Sequence, residues 1–402
     1  NGAATQSLEQ TWRDCVTSLT QLVEALSDFA TRVAAVSITG QGDGTWLVGA
    51  NDATIGDGWL WRDARAGSLA KDLRERPEDK ERFLITGTGL NACQQGVQLR
   101  YMKDTTPDML AQAEVAFHCK DWLYLKMTGV RATDPSEACF TFGSFNTRSY
   151  DDDVIRFYDL GEAEKLLPPI CDGTKTVHPL SDEAASITGL LAGTPVVLGY
   201  VDVVCSALGA GAYQPDKPVG CTIVGTTGMH VYASAARDIQ VNATQRTGYV
   251  MLLPVDGVAA QMQTNMASTL NLDWVKGLAE EVASTFGLKA DNDQLLEILN
   301  KWMDEASPGS LLYHPYISEA GERGPFVDHT ARASFIGLST GHGFADLTRA
   351  AVEGLGFAAR DCYGAMAKTP DEVRLTGGAA QSQVLRDTIA GTLGVSVRQS
   401  LR

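Results

Sequence analysis

Four short segments hold residues whose types and spacing could do chemistry. Asp202 stands in Gly199-Tyr200-Val201-Asp202-Val203-Val204-Cys205, between apolar neighbours just past a buried run. A carboxylate there is costly unless it is paired, caps a helix or is functional. Gly40-Gln41-Gly42-Asp43-Gly44-Thr45 sets three glycines around one acid. Glycine lets a ligand approach the backbone, and Asp43 could then accept hydrogen bonds from sugar hydroxyls. The same Asp-Gly pair also makes a tight hairpin turn. Gly225-Thr226-Thr227-Gly228 offers N–H and O–H donors to phosphate oxygens, or again a hairpin. Thr376-Gly377-Gly378-Ala379-Ala380-Gln381-Ser382 lies between a strand and a helix. Small residues there admit a planar base or a phosphate to a helix N-terminus, or serve close helix–strand packing.

These segments need elements to position them. Leu8, Trp12, Cys15, Leu19, Leu22, Val23 and Leu26 recur at helical spacing, and Ser7 with Gln10 reads as a capping box. Arg32 to Thr39 reads as a buried strand, and Trp46-Leu47-Val48 as the strand after a glycine-rich turn. Residues 68–82 are charged and helical, 86–96 form a polar loop, and helical periodicity runs from Met109 to Met127. Val196 to Gly199 reads as a buried strand leading to Asp202. A similar strand, turn and strand follows at Thr222 to Tyr232. Helices are predicted at Asn271–Phe286, Gln294–Glu305 and Asp346–Met366, then a strand at Val373–Leu375 and a helix from near Ser382. Alternation of this kind predicts an α/β architecture. Ile38-x-Gly40-x-x-x-Gly44 and Ile223-x-Gly225-x-x-Gly228 are similar devices, one per half. They suggest two related domains, with a cleft between them as the ligand site.

Composition narrows the function. The 402 residues carry 33 Lys and Arg against 49 Asp and Glu, a net charge of −16. That sign argues against nucleic acid or an anionic membrane as partner. A small anionic ligand needs only a few local donors. No run of about 18 apolar residues predicts a membrane span, and the first residues show no signal-peptide pattern. Eight scattered cysteines form no Cys-x-x-Cys pair. Reduced thiols in a cytoplasmic protein are the expectation, and no zinc pattern stands out. The chain lacks Gly-x-x-x-x-Gly-Lys-Ser/Thr, a Gly-x-Gly-x-x-Gly that opens a helix, and Gly-x-Ser-x-Gly.

One further pattern is specific. Ala333, Phe335 and Gly337-Leu338 are followed seven residues on by Asp346-Leu347 and then by Ala350-Ala351-Val352-Glu353. Upstream stand Pro315-Tyr316, Gly321-Glu322-Arg323 and Pro325. Thr133-Asp134-x-Ser136-x-Ala138 and Trp61-x-Asp63-x-Arg65 complete the set. Together these resemble the FGGY family of carbohydrate kinases, the glycerol kinase, xylulokinase and gluconokinase group, over essentially the whole chain.

The resemblance implies two actin-like ATPase (ribonuclease H-like) domains flanking a central cleft. Residues 1–195 would bind the sugar and 196–402 the nucleotide. It implies Asp202 as the catalytic base, Asp43 and Gly42 at the substrate hydroxyls, Trp61 against the sugar, and Met229 lining the substrate site. Gly225, Thr226, Thr227 and Gly228 would contact ATP phosphates, and Gly377, Gly378 and Ser382 the adenosine side. ATP with Mg2+, a small sugar or polyol and a homodimer are implied, and no metal-binding side chain is assigned. Gly42-Asp43-Gly44 stands where many members have Met-His-Gly. It resembles erythritol kinases and some L-xylulose kinases, so the substrate expectation is erythritol. A xylulose- or ribulose-type pentulose kinase and a non-catalytic sugar-binding pseudokinase are the alternatives. An actin-like scaffold would leave Asp43, Trp61 and Asp202 without purpose. An earlier family signature with Lys and Trp is replaced here by Gln98 and Tyr101. The family pattern also has a strand with Asp-x-Gly-Thr before the first helix and more helix after Val395–Val397, so the chain is expected to be trimmed at both ends.

Overall fold

The computed structural model describes residues 2–399, apart from 216, 289–291 and 367–368. They form two compact units, one of residues up to 206 with 250–259, the other of 207–249 with the residues from 260 onward.

In the first unit the strand Val36–Ile38 runs parallel to Pro195–Leu198, which pairs antiparallel with His178–Pro179. The helix Leu8–Ala25 starts at the predicted Ser7, whose hydroxyl accepts from the Gln10 N–H at 3.2 Å, but the expected capping box is only half formed because the Gln10 amide donates to Asp14 instead. Its stripe packs Trp12 against Ile38, Tyr124, Val196 and Leu198, while Leu22 and Leu26 at its far end stay exposed. Of the run 32–39 only Val36–Ile38 is strand, because residues 29–32 close a helical turn.

Two helical expectations change. Met109 to Met127 is not one helix. Pro107–Gln112 is followed by the strand Ala113–Phe117 and then by the helix Cys119–Thr128. Ala113–Phe117 pairs antiparallel with Trp46–Gly49. Val115 and Phe117 face one core with Trp46 and Val48, and Ala116 faces a second with Leu47. A strand buried on both faces reads as an unbroken apolar run, which periodicity cannot tell from a helix. Residues 68–82 form parts of two helices, Gly67–Arg74 and Asp79–Thr86, separated around Pro77. The polar stretch 86–96 runs into a helix, Gln95–Thr105, that its composition did not announce.

The second unit is built on a twisted mixed sheet. Val219–Val224 is central, antiparallel to Gly228–Ala235 on one side and parallel to Glu372–Thr376 on the other. Ser396–Gln399 extends the sheet in parallel beyond Glu372–Thr376. The long helix Phe344–Ala365 and the helix Gln383–Leu393 cover one face. Val352, Leu355 and Tyr363 there pack with Val373, Leu375 and Ile389.

The family-like motifs are structural joints. Asp63 accepts from the Ala4 N–H at 2.8 Å and from Arg65. Glu322 Oε1 accepts from the N–H groups of Met266, Arg323 and Gly324, which fixes the Gly-Glu-Arg-x-Pro loop. Glu353 pairs with Arg349 at 2.8 Å and accepts from the Gly309 N–H.

Candidate active site

The first unit assembles its polar residues at the C-terminal ends of the parallel pair Val36–Ile38 and Pro195–Leu198, a common place for ligands in α/β sheets. Gly40 and Asp202 follow these strands, and the Asp202 N–H donates to the Gly40 carbonyl at 3.0 Å. Asp202 opens the helix Asp202–Gly209. Burial pushes its carboxyl above the ordinary range, opposed by the Val203 N–H.

Gly40 to Thr45 is not a hairpin, and this corrects the turn reading. The strands on either side belong to different sheets, Val36–Ile38 to one and Trp46–Gly49 to another. In the second unit Val224 pairs directly with Gly228, so residues 225–228 are a true hairpin. The two glycine-rich segments are therefore different devices. The first is pinned along its length. The Gly44 N–H donates to the Cys93 carbonyl, Thr45 exchanges both backbone hydrogen bonds with Trp59, and a Cβ on Gly44 would lie 2.2 Å from the Trp59 carbonyl. Asp43 takes a left-handed backbone, φ 58°, and its Oδ2 accepts from the Cys93 thiol at 3.4 Å. Gly42 is glycine by need, because a Cβ there would stand 2.6 Å from Val201 and 2.8 Å from Glu137. Trp61 is 53% exposed, two residues past the buried Trp59, whose ring carries the Arg65 guanidinium 3.3 Å from its centroid.

Beneath this loop lies a charged cluster that the sequence reading missed. Lys120 Nζ sits 2.8 Å from Asp121 and 2.6 Å from Asp134, all three fully buried. His118 Nδ1 meets Asp121 Oδ2 at 3.2 Å, and His118 Nε2 meets Glu137 Oε2 at 3.5 Å. Burial opposes the charge on Asp121, but Lys120 and His118 outweigh it and hold its pKa at about 2. Glu137 is the reverse case. Burial dominates over His118 and Lys120 and pushes its pKa up to about 7. The available signal was a Glu in the otherwise apolar Ala138-Cys139-Phe140 neighbourhood, one residue past Ser136.

The second unit brings its two loops together. Ile223 pairs with Thr376 across parallel strands, so the Gly225–Gly228 turn and the Gly377 loop leave the same edge side by side. Gly377, φ 98°, lies so close that a Cβ would stand 2.5 Å from the Val224 carbonyl. The Ser268 and Thr269 N–H groups donate to the Thr226 and Gly225 carbonyls, which fixes the turn at the start of the helix Thr269–Thr285. Thr226 and Thr227 are exposed, and the Cα of Gly378 faces open space. Ser382 is the N-cap of Gln383–Leu393, its hydroxyl accepting from the Leu385 N–H at 3.3 Å. Met229 lies in the strand Gly228–Ala235 opposite Ile223.

Comparison with known proteins decides what this arrangement belongs to. The profile of the FGGY family of carbohydrate kinases, N-terminal domain, matches residues 1–209, and that of its C-terminal domain matches residues 220–400. The chain belongs to the FGGY family of carbohydrate kinases. An erythritol kinase of Brucella abortus (strain 2308) is 53% identical over 402 residues, 100% of this chain and 77% of that protein. A xylulose kinase of Escherichia coli (strain K12) is 28% identical over 90% of this chain and 71% of its own length. The crystal structure of xylulose kinase from Rhodospirillum rubrum matches with a TM-score of 0.87 at 22% identity, over 99% of this chain and 78% of that one. The fold is the two-domain α/β FGGY kinase fold of the actin-like ATPase type. An FGGY carbohydrate kinase is a phosphotransferase with an alcohol acceptor and ATP as donor. Among the described residues no helix is long and apolar enough to cross a membrane.

Proposed function

We propose that this FGGY kinase transfers the γ-phosphate of ATP to a hydroxyl of erythritol, with Asp202 as the base. The observation that carries the reading is the junction of Asp202 with the Gly40–Thr45 loop, which sets one carboxylate beside the segment that presents Asp43. The likeness to the Brucella abortus erythritol kinase supports the choice of a four-carbon polyol.

An alcohol is a poor nucleophile, and a positioned carboxylate can take its proton as the P–O bond forms, worth about 10²–10⁴-fold. Partial burial suits Asp202 to this work, since the desolvation that raises its carboxyl above the ordinary range also makes the carboxylate a stronger base. Asp43 and the backbone at Gly42 would hold the substrate hydroxyls, with Trp61 as an apolar wall. Gly225, Thr226, Thr227 and Gly228 would hold the phosphates. Their exposed hydroxyls and uncrowded backbone suit an anion. Gly377, Gly378 and Ser382 would border the adenosine. Mg2+ would arrive on ATP, held by phosphate and water oxygens, and would neutralise charge on the transferred group. Eight free thiols suit the reducing cytoplasm, where ATP is available.

The test is ADP release, coupled to a spectroscopic readout, with erythritol, other polyols, xylulose and ribulose. Erythritol should give the highest kcat/KM. A pentulose preferred over erythritol would reassign the substrate. Sugar binding by calorimetry without ADP release from any of them would reject the kinase reading for this chain.

A further inference from the structure

We propose that Glu137 is a positioning residue for the substrate, acting through the backbone of Asp43 at the end of a buried Asp121–His118–Glu137 relay. The proposal rests on the reading of Asp43 as the holder of substrate hydroxyls.

The geometry is continuous. Asp121 Oδ2 accepts from the His118 backbone N–H at 3.0 Å and faces its Nδ1 at 3.2 Å. The imidazole then presents Nε2 to Glu137 Oε2, and the same oxygen accepts from the Asp43 N–H at 3.4 Å. Glu137 is 1% exposed. Its second oxygen, Oε1, has no hydrogen-bond partner among the described residues and is directed at Gly42. A buried carboxyl oxygen left unpartnered is costly. Its position directly beneath Gly42 and Asp43 is what that cost secures.

The bond to Asp43 is long, so its strength depends on the charge of the acceptor more than on orbital overlap. Ionised, Glu137 attracts the Asp43 N–H and holds the left-handed backbone at that residue. Protonated, it holds it weakly. The groups that set this proton face Glu137 from every side. His118 and Lys120, at the start of the helix Cys119–Thr128, favour the charged form. Asp134, the N-cap of its own helix Pro135–Phe142, and Asp43, on the loop, oppose it, and burial opposes it most. His118 is itself pushed down by burial, but Glu137 and Asp121 outweigh this and raise it.

The experiment measures KM for erythritol and kcat between pH 5.5 and 8.5 for wild type, Glu137→Gln, His118→Gln and Asp43→Asn, with a melting curve for each. Wild-type KM should rise about five- to tenfold as pH falls from 8 to 6, the loss of one charge-assisted bond. In Glu137→Gln, KM should be high and flat over the same range, with kcat changed far less than KM. His118→Gln removes the cation that favours ionised Glu137, so the KM midpoint should move to higher pH. This second variant keeps the test valid if Glu137→Gln melts early. Wild-type KM and pH profile in Glu137→Gln, or an unmoved midpoint in His118→Gln, would overturn the relay. If Asp43→Asn leaves KM unchanged, the reading of Asp43 fails instead.

Discussion

The backbone N–H of Asp202 donates to the carbonyl of Gly40 at 3.0 Å, which couples the proposed base to the proposed substrate loop through a single hydrogen bond. The bond is possible because Ile38 and Leu198 lie in register on neighbouring parallel strands, so both chains leave the sheet at the same level. A side-chain change at 202 preserves this backbone bond. Asp202→Asn should therefore lower kcat by about 10²–10⁴-fold and leave sugar affinity, read by calorimetry, within a few-fold. A variant that turns over at the wild-type rate would show that a different group takes the proton.

Lys120 Nζ lies between Asp121 and Asp134, at 2.8 and 2.6 Å. Lys120→Met leaves two buried carboxylates facing each other and should cost about 3–5 kcal/mol, read as a lower denaturant midpoint for the first unit. Adding Asp121→Asn and Asp134→Asn should restore much of it, since the uncompensated charges then disappear. An unaltered midpoint in the single variant would mean that the cluster is not ionised as described.

At Gly377 two costs coincide, a backbone at φ 98° and a carbonyl 2.5 Å from any Cβ. Gly377→Ala should push the loop away from Val224, destabilise the second unit by about 1–2 kcal/mol and raise KM for ATP. KM for the polyol should hardly move. Equal effects on both would place this loop outside the nucleotide half of the site.

His230 is buried between Thr222 at 3.1 Å and Asn265 at 2.9 Å, and burial lowers its pKa to about 4 despite the Asn265 bond. The unfolded chain protonates this histidine near pH 6.5 and the folded one only near 4. Between those values the unfolded state binds more protons, so the stabilisation present above pH 6.5 is lost as pH falls. The loss is on the order of 3 kcal/mol. His230→Gln should flatten the fall in stability of the second unit between pH 6.5 and 4, measured by denaturant titration at each pH. The same slope in variant and wild type would contradict it.

Much of this protein was legible from residue types and local spacing. The Ser7 cap, the strand before Asp202, the strands flanking Gly225–Gly228 and the Ser382 helix start all follow from short-range patterns that local backbone physics obeys. So did the family, because its motifs are joints whose chemistry leaves little freedom, such as Glu322 gathering three N–H groups. Long-range pairing decided the rest. Ala113–Phe117 is a strand because Trp46–Gly49 gives it a partner, and an apolar run carries no mark of which partner awaits it. The Gly40–Thr45 segment joins two sheets and the Gly225–Gly228 segment turns within one, although their glycines look alike. Glu137 and His118 are unremarked letters 19 positions apart in the chain. Only the fold removes them from water and sets them under Asp43, and that burial is what raises the Glu137 pKa to about 7.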